Sequence, residues 1–240
     1  MQVFVTGTDT DIGKTVVTAG LAAVMQSLGY KAGVYKPFQS GATTQNGFLV
    51  SPDLAYVKKL DLYVETSCTY LLKAPTAPYI AALAENMEMN LNAVKRDYEI
   101  LKDKCEVTLV EGAGGLMVPA TKDAFMADIA KMLDIPLLVV ARADLGTINH
   151  TLLTINEAKS RGLDIAGVVI NRYPKGTNDI AVKTAPRLIQ EYSDVEVVGV
   201  IPDIEDFDNI KPGTLINVLI NNVNMEKIFR IKIPKLNFTL

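Results

Sequence analysis

The sequence predicts an α/β fold, a mostly parallel central sheet with helices on both faces. Three observations carry that prediction. Short apolar runs alternate along the chain with longer helical patterns, as successive βαβ units require. Those runs show no polar alternation, so both faces of each strand are expected to be buried. Glycine or proline follows most of them, where the chain must leave the strand.

Taken in order, Val3–Val5 is the first apolar run, and it ends in a glycine-containing loop. Thr15 to Leu28 has an apolar helical face and stops at Gly29. Ala32 to Tyr35 reads as a strand that Lys36-Pro37 terminates, and the polar stretch 38–50 reads as a loop. Ser51-Pro52-Asp53 has the form of a helix start. Residues 73–79, with Pro75 and Pro78, read as irregular, and Leu91 to Lys104 as a polar helix. Val107 to Val110 is a strand closed by Glu111 and the run Gly112-Ala113-Gly114-Gly115. Pro136 to Ala141 is the most apolar strand. Ile148 to Arg161 is helical up to Gly162, and Ile165 to Ile170 is a strand followed by Asn171. A helix over Thr177 to Tyr192 and a strand over Val197 to Ile201, ending at Pro202, complete the pattern. Without repeats or linkers, residues 1–240 read as one domain. The packing of the tail from about residue 222 is left open, and the last fifteen or so residues, with Lys227, Arg230, Lys232 and Lys235, are expected to form a terminal strand or a frayed tail.

Composition narrows the functional classes. The 240 residues are 49% hydrophobic, enough for a sizeable core. A net charge of −3 argues against a nucleic-acid partner. Cys68 and Cys105 are far apart and read as ordinary thiols, not a disulfide or zinc pair. A lone His150 cannot build an imidazole metal site. No run approaches the ~20 apolar residues that span a bilayer, and the first strand begins without a leader pattern, so a cytoplasmic protein without a membrane partner is expected.

The informative stretch is Gly7-Thr8-Asp9-Thr10-Asp11-Ile12-Gly13-Lys14-Thr15, between a strand and a helix. Glycines let backbone N–H groups turn onto phosphate oxygens, and the helix N-terminus adds a favourable dipole. Lys14 would neutralise the β- and γ-phosphates, and the Thr15 hydroxyl would bind Mg2+. Five residues separate Gly7 from Gly13, one more than in the common P-loop pattern. The expected architecture is therefore of the P-loop NTPase type. In a parallel sheet ligands bind at the carboxyl ends of the strands. Lys36 and Glu111 both end strands, so both would reach this pocket. Asp53, at a helix start, would serve either as a cap or as a second carboxylate for an octahedral Mg2+.

The loop resembles that of the dethiobiotin synthetase family, including its longer glycine spacing. So do Lys36-Pro37-x-x-Ser40-Gly41, Pro75-Thr76-x-Pro78, Val110-Glu111-Gly112-Ala113-Gly114-Gly115 and Leu145-Gly146-Thr147-Ile148-Asn149-His150. The resemblance implies a reaction: 7,8-diaminononanoate takes up CO2 as a carbamate, which ATP activates as a carbamic–phosphoric anhydride before ring closure. It implies ATP contacts from Asp11, Ile12, Gly13, Lys14, Thr15 and Val16, with Asn171 reading the adenine and Pro202 and the segment after it flanking it. Lys14, Lys36, Thr10 and Ser40 would act on the carbamate or the phosphate. Thr15, Asp53 and Glu111 would hold Mg2+. Ser40, Pro78, Gly112, Ala113 and Gly114 would contact the substrate. Gly146, Thr147 and Asn149 would do so from a partner subunit, which makes a homodimer part of the expectation.

Two rival readings fit the sequence less well. A P-loop amidoligase of the cobyrinate-diamide type would need a glutaminase domain for which this chain is too short. A P-loop ATPase switch of the partitioning type commonly carries a second lysine early in the loop, where Thr8-Asp9-Thr10 stands here.

Overall fold

The computed structural model describes residues 1–204 and 206–233. Its centre is a seven-stranded sheet, and every strand pair in it is parallel. The strands are β1 (Gln2–Gly7), β2 (Ala32–Ser40), β5 (Glu65–Leu72), β6 (Val107–Gly115), β7 (Leu137–Arg142), β8 (Ile165–Tyr173) and β9 (Val197–Pro202). A two-stranded hairpin, β3 (Thr43–Gln45) and β4 (Phe48–Val50), stands apart from it. The order across the large sheet is β5-β2-β6-β1-β7-β8-β9, so β1 lies at its centre. In β1 the period-two pleat sends Val3 and Val5 to one core and Phe4 to the other, all fully buried.

Helices cover both faces. On one face lie α1 (Lys14–Ser27), α2 (Pro52–Leu60), α8 (Pro212–Asn222) and α9 (Met225–Phe229). On the other are α4 (Leu91–Lys102), α5 (Met126–Leu133), α6 (Thr147–Ser160) and α7 (Ile180–Ser193). The short α3 (Pro78–Ala84) packs near the end of β5. Leu215 and Leu219 of α8 are buried against Gly20 of α1. Burying two leucines contributes about 1.5–3 kcal/mol each, and this fixes α8 beside the helix that follows the phosphate loop.

Several expectations change. Pro37 does not end β2, which runs on to Ser40. The pairing of β2 with β6 stops at Tyr35, while the pairing with β5 continues from Lys36 to Ser40. Beyond Tyr35 one side of β2 is an edge, where proline's missing N–H costs nothing. The stretch 38–50 is likewise not all loop. Its Asn46-Gly47 turn has both φ angles positive, 50 and 83, the geometry of a tight hairpin turn. Pro78 opens α3 as a first-turn proline within the stretch read as irregular. Glu111 does not close β6, which continues through the glycine run to Gly115. The helix read from Thr177 starts at Ile180, capped by the Asp179 carboxylate on the Ala181 N–H.

Four elements had no counterpart in the sequence reading. β5 is an edge strand of mixed polarity and so carries no apolar run. α5 is short. α8 is rich in Asn, Ile and Val, which are weak helix formers. α9 replaces the expected terminal strand or frayed tail over 225–229, where Met225, Ile228 and Phe229 are buried. Lys227 pairs with Glu196 and Arg230 with Asp164, so two of the basic residues fasten this segment. Lys235 lies outside the described residues.

Candidate active site

The phosphate loop hangs between β1 and α1. Gly13 has φ 90, and a Cβ there would lie 2.1 Å from the Asn171 amide nitrogen, so only glycine fits. That amide nitrogen donates to the Ile12 carbonyl at 2.9 Å, tying the loop to the end of β8. Ile12 is buried beneath the loop. Lys14 folds back so that its ammonium donates to the Asp9 carbonyl at 3.1 Å. Burial, reinforced by the nearby Lys36 charge, lowers its pKa from 10.5 to about 8. Among the described residues no ion pair holds it, and a buried lysine so placed favours an incoming anion.

A second cation stands close by with the opposite setting. Lys36, on β2, lies 2.6 Å from an Asp53 oxygen and 2.8 Å from Glu111 Oε1, and it donates to the Gly112 carbonyl at 3.3 Å. Burial alone would lower its pKa, but Glu111 and Asp53 override it and hold the ammonium well above its ordinary value. The Asp53 carboxyl sits below the ordinary carboxylate value because Lys36 outweighs the effect of burial. Burial pushes the Glu111 carboxyl up, and the Asp53 charge adds to this against the pull of Lys36. Thr15 donates its hydroxyl to Glu111 Oε1 at 2.9 Å.

Thr15, Asp53 and Glu111 thus bring hard oxygen donors to one point. Glu111 Oε2 is buried with no hydrogen-bond partner. An orphaned carboxylate oxygen beside a second carboxylate and a hydroxyl fits a small divalent cation, which prefers oxygen ligands and few of them from protein.

These groups line a cleft of about 800 Å³. Of the residues expected at the site, it gathers Thr10, Asp11, Gly13, Lys14, Thr15 and Val16 from the loop, Lys36 and Ser40 from β2, and Asp53, Pro78, Glu111, Ala113 and Gly114. The Ser40 hydroxyl is buried without a partner, a second orphaned oxygen at this site. Gly112 lies behind the wall and presents its carbonyl to Lys36. Asn171 is buried beneath the loop, and Pro202 ends β9 in register with Tyr173. Gly146, Thr147 and Asn149 are not among the lining residues. They form the start of α6, with Leu145 84% exposed in front of it.

The cleft also holds residues that the sequence reading missed. Phe38 and Gln39 belong to the part of β2 beyond Pro37. Phe38 packs in the same core as Tyr35, and Phe38, Gln39 and Ser40 line the cleft consecutively, so alternation along the strand does not mark them. Val118, Pro75 and Ala77 add apolar wall near Pro78. Tyr56 and Arg172 come from separate elements, and no local motif marks them, while Phe207 falls in the segment after Pro202 expected to flank the adenine.

Known proteins sharing these features fall into two groups. A family model described as an AAA domain matches residues 1–211. The chain is 41% identical over 208 residues to the ATP-dependent dethiobiotin synthetase BioD of Anoxybacillus flavithermus, covering 86% of this chain and 93% of that protein. It is 37% identical over 222 residues to the protein of the same name from Bacillus subtilis strain 168, covering 92% and 94%. Among solved structures, the MinC:MinD cell division protein complex of Aquifex aeolicus aligns with TM-score 0.59 at 14% identity, over 97% of each chain. A ParA family ATPase from Chlorobium tepidum aligns with TM-score 0.54 at 16% identity, over 95% of each. At such identities the structural likeness speaks for the fold alone.

Proposed function

The chain belongs to the family of ATP-dependent dethiobiotin synthetases, and on that premise we propose that its cleft joins CO2 to 7,8-diaminononanoate, with Lys14 and Lys36 neutralising the phosphoryl group that passes from ATP. It is a ligase of biotin biosynthesis. The observation that carries the division of labour is the pair of buried lysines, one unpaired and one held by two carboxylates, in a single cleft.

The chemistry balances in three steps. An amine of the substrate adds to CO2 and loses a proton, giving a carbamate. A carbamate oxygen attacks the γ-phosphorus, the bond to the β-phosphate oxygen breaks, and ADP leaves. The second amine attacks the carbamoyl carbon, expels phosphate and loses a proton, closing the ureido ring. The middle step spreads negative charge over the transferring group, so positioned cations contribute more than a strong base. Lys14 supplies one charge from the loop. Lys36, already desolvated and oriented, supplies another from β2. Thr10 and Ser40 donate to carbamate or phosphate oxygens. Pro78, Val118 and Phe38 exclude water from the aliphatic part of the diamine.

Thr15, Asp53 and Glu111 would hold Mg2+, which when bound neutralises charge on the β- and γ-phosphates. Gly146, Thr147 and Asn149 start a helix that does not face this chain's own cleft. In a homodimer the partner subunit's Gly146, Thr147 and Asn149 supply N–H groups for the substrate carboxylate. Asn171 and Pro202 flank the adenine. We place the enzyme in the cytoplasm, in keeping with the absence among the described residues of any helix long and apolar enough to cross a membrane. The partitioning-type switch is not favoured, because the relatives at 37–41% identity are synthetases while MinD and ParA share only the fold.

The test is a product analysis with Mg2+, ATP, 7,8-diaminononanoate and carbon-13 bicarbonate. Dethiobiotin carrying one heavy carbon, formed with ADP, is the expected outcome. ATP hydrolysis without dethiobiotin would overturn the reading. Glu111→Gln is expected to raise the Mg2+ requirement, and an unchanged Mg2+ titration would remove Glu111 from the ligand set.

A further inference from the structure

Lys36 and Asp53 belong to different elements, so their ion pair depends on how those elements are held together. Lys36 stands on β2, and Asp53 lies in the first turn of α2. Between them the chain runs through the β3–β4 hairpin, which pairs with no strand of the large sheet. All three residues of β3 are exposed, and so is Phe48 of β4. Leu54, Val57 and Leu60 anchor the body of α2 in the core. Its first turn, which carries Asp53, is tied to β2 in another way.

Gln39 and Ser51 meet beside the ion pair, Gln39 three residues after Lys36 and Ser51 two before Asp53. Both are buried, at 5% and 7% exposure. The Gln39 amide nitrogen donates to the Ser40 carbonyl at 2.8 Å. A carbonyl only accepts, so this bond sets the amide with its oxygen toward Ser51. The Ser51 hydroxyl donates to that oxygen and accepts from the Leu54 N–H at 3.1 Å, which caps α2. Donation thus runs in one direction, from Leu54 through Ser51 and Gln39 to Ser40. A buried chain of this kind, with each link satisfied, specifies a single arrangement. It joins the strand that carries Lys36 and Ser40 to the helix start that carries Asp53.

We propose that Gln39 is a positioning residue for the Mg2+ site. Through the Ser51 hydroxyl it holds the first turn of α2 so that the Asp53 carboxylate meets Lys36 and shares one point with Thr15 and Glu111. None of the steps above uses Gln39, although it lines the cleft. Removing a group that orients a metal ligand typically costs about 10–100-fold in metal affinity or activity. This role rests on the dethiobiotin synthetase reading of Asp53 as a Mg2+ ligand and adds to it the residue that places that ligand.

The test uses the full chain and a non-hydrolysable ATP analogue, whose binding is measured by calorimetry over a series of Mg2+ concentrations. Gln39→Met keeps the length of the side chain, loses both hydrogen bonds and leaves the Ser51 cap in place. It is expected to raise the Mg2+ concentration that half-saturates the tightening of analogue binding about tenfold. Affinity for the analogue without Mg2+ is expected to stay the same. Ser51→Thr keeps a hydroxyl and is expected to match the parent, while Ser51→Ala is expected to match Gln39→Met. In an Asp53→Asn background Gln39→Met is expected to add nothing, because the two act as one unit. In turnover the Mg2+ requirement rises in the same proportion, and kcat at saturating Mg2+ falls far less. A Gln39→Met chain with the parent's Mg2+ dependence overturns the role, provided Asp53→Asn raises the requirement. So does an equal loss with and without Mg2+, which would make Gln39 a general support of the cleft. A full Gln39→Met effect in the Asp53→Asn background overturns it as well. A parent whose analogue binding ignores Mg2+, or an Asp53→Asn chain with the parent's Mg2+ dependence, overturns the metal reading and this role with it.

Discussion

The turn from β1 into α1 and the turn from β7 into α6 lie on neighbouring strands and share a backbone device. Each places a glycine with positive φ immediately before the first helical residue, Gly13 at φ 90 and Gly146 at φ 97. Each therefore presents helix N-terminal N–H groups at the same edge of the sheet. Around the first turn everything converges. Lys14 is buried, the Thr15 hydroxyl reaches Glu111 and Asn171 clamps the loop. Around the second, Leu145 is exposed, the Thr147 hydroxyl is buried without a partner, and none of Gly146, Thr147 and Asn149 lines the cleft. A helix start is a generic anion site. What makes one of these turns a complete phosphate site within a single chain is the set of side chains that neighbouring strands bring to it.

The widest gap between the two turns should appear in catalysis. Lys14→Ala is expected to lower turnover about 10²–10³-fold, the scale for losing one group that stabilises transition-state charge. Near-normal turnover would show that the first turn works through its backbone alone, like the second. A mixing experiment addresses the second turn. Lys14→Ala chains and chains with a bulky Gly146→Trp substitution are each expected to be nearly inactive, and to recover activity when mixed and reassociated. No recovery would mean that the two turns do not serve one site across subunits.

Stability separates the glycines by a smaller margin. Gly146→Ala costs about 1 kcal/mol for the positive φ, because an added Cβ would meet only His150, at 3.6 Å. Gly13→Ala is expected to cost roughly 2–3 kcal/mol, because its Cβ also collides with the anchored Asn171 amide. Thermal unfolding of the pair checks this, and equal losses would remove the clamp as a cause.

The pH dependence is subtler. Lys14 has its folded pKa lowered to about 8 from an ordinary 10.5. Below pH 8 it is charged in both states, and the folded state bears the cost of burying that charge. Between pH 8 and 10.5 the unfolded chain binds more protons, so this residue's contribution to stability rises with pH. Lys14→Met is therefore expected to be more stable than the parent near pH 7, by a margin that shrinks toward pH 10. A constant margin in chemical denaturation would show that Lys14 is not desolvated. The smallest effect belongs to Thr147→Val. Its hydroxyl has no partner to lose and valine keeps the backbone N–H, so stability and the KM for the diamine are both expected to hold. A clear loss of stability would show that the hydroxyl is satisfied.

Local pattern carried much of this protein. The apolar runs of β1, β6, β7, β8 and β9 announced a parallel sheet, because strands buried on both faces need apolar residues at every position. Gly13-Lys14-Thr15 announced a phosphate site, because glycines before a helix start bare the N–H groups an anion needs. The edge strand β5 escaped, because a half-covered strand has no such run. The continuation of β2 past Pro37 escaped as well, because whether a missing N–H matters depends on which neighbour stands beside it.

By itself, then, the sequence determined the sheet, the loop and the residue types from which the site is made, since these depend on period and on neighbours a few positions away. Only the tertiary structure decided that Lys36 stands between Asp53 and Glu111 while Lys14, among the described residues, is in no ion pair and turns to the Asp9 carbonyl. It also decided that Tyr56, Arg172 and Phe207, far apart in the chain, close one end of the same cleft. The physical reason is that charge pairing and desolvation depend on distances across a few ångströms of packed protein. Those distances are set by which strands lie side by side, and the spacing of residues along the chain does not record that order.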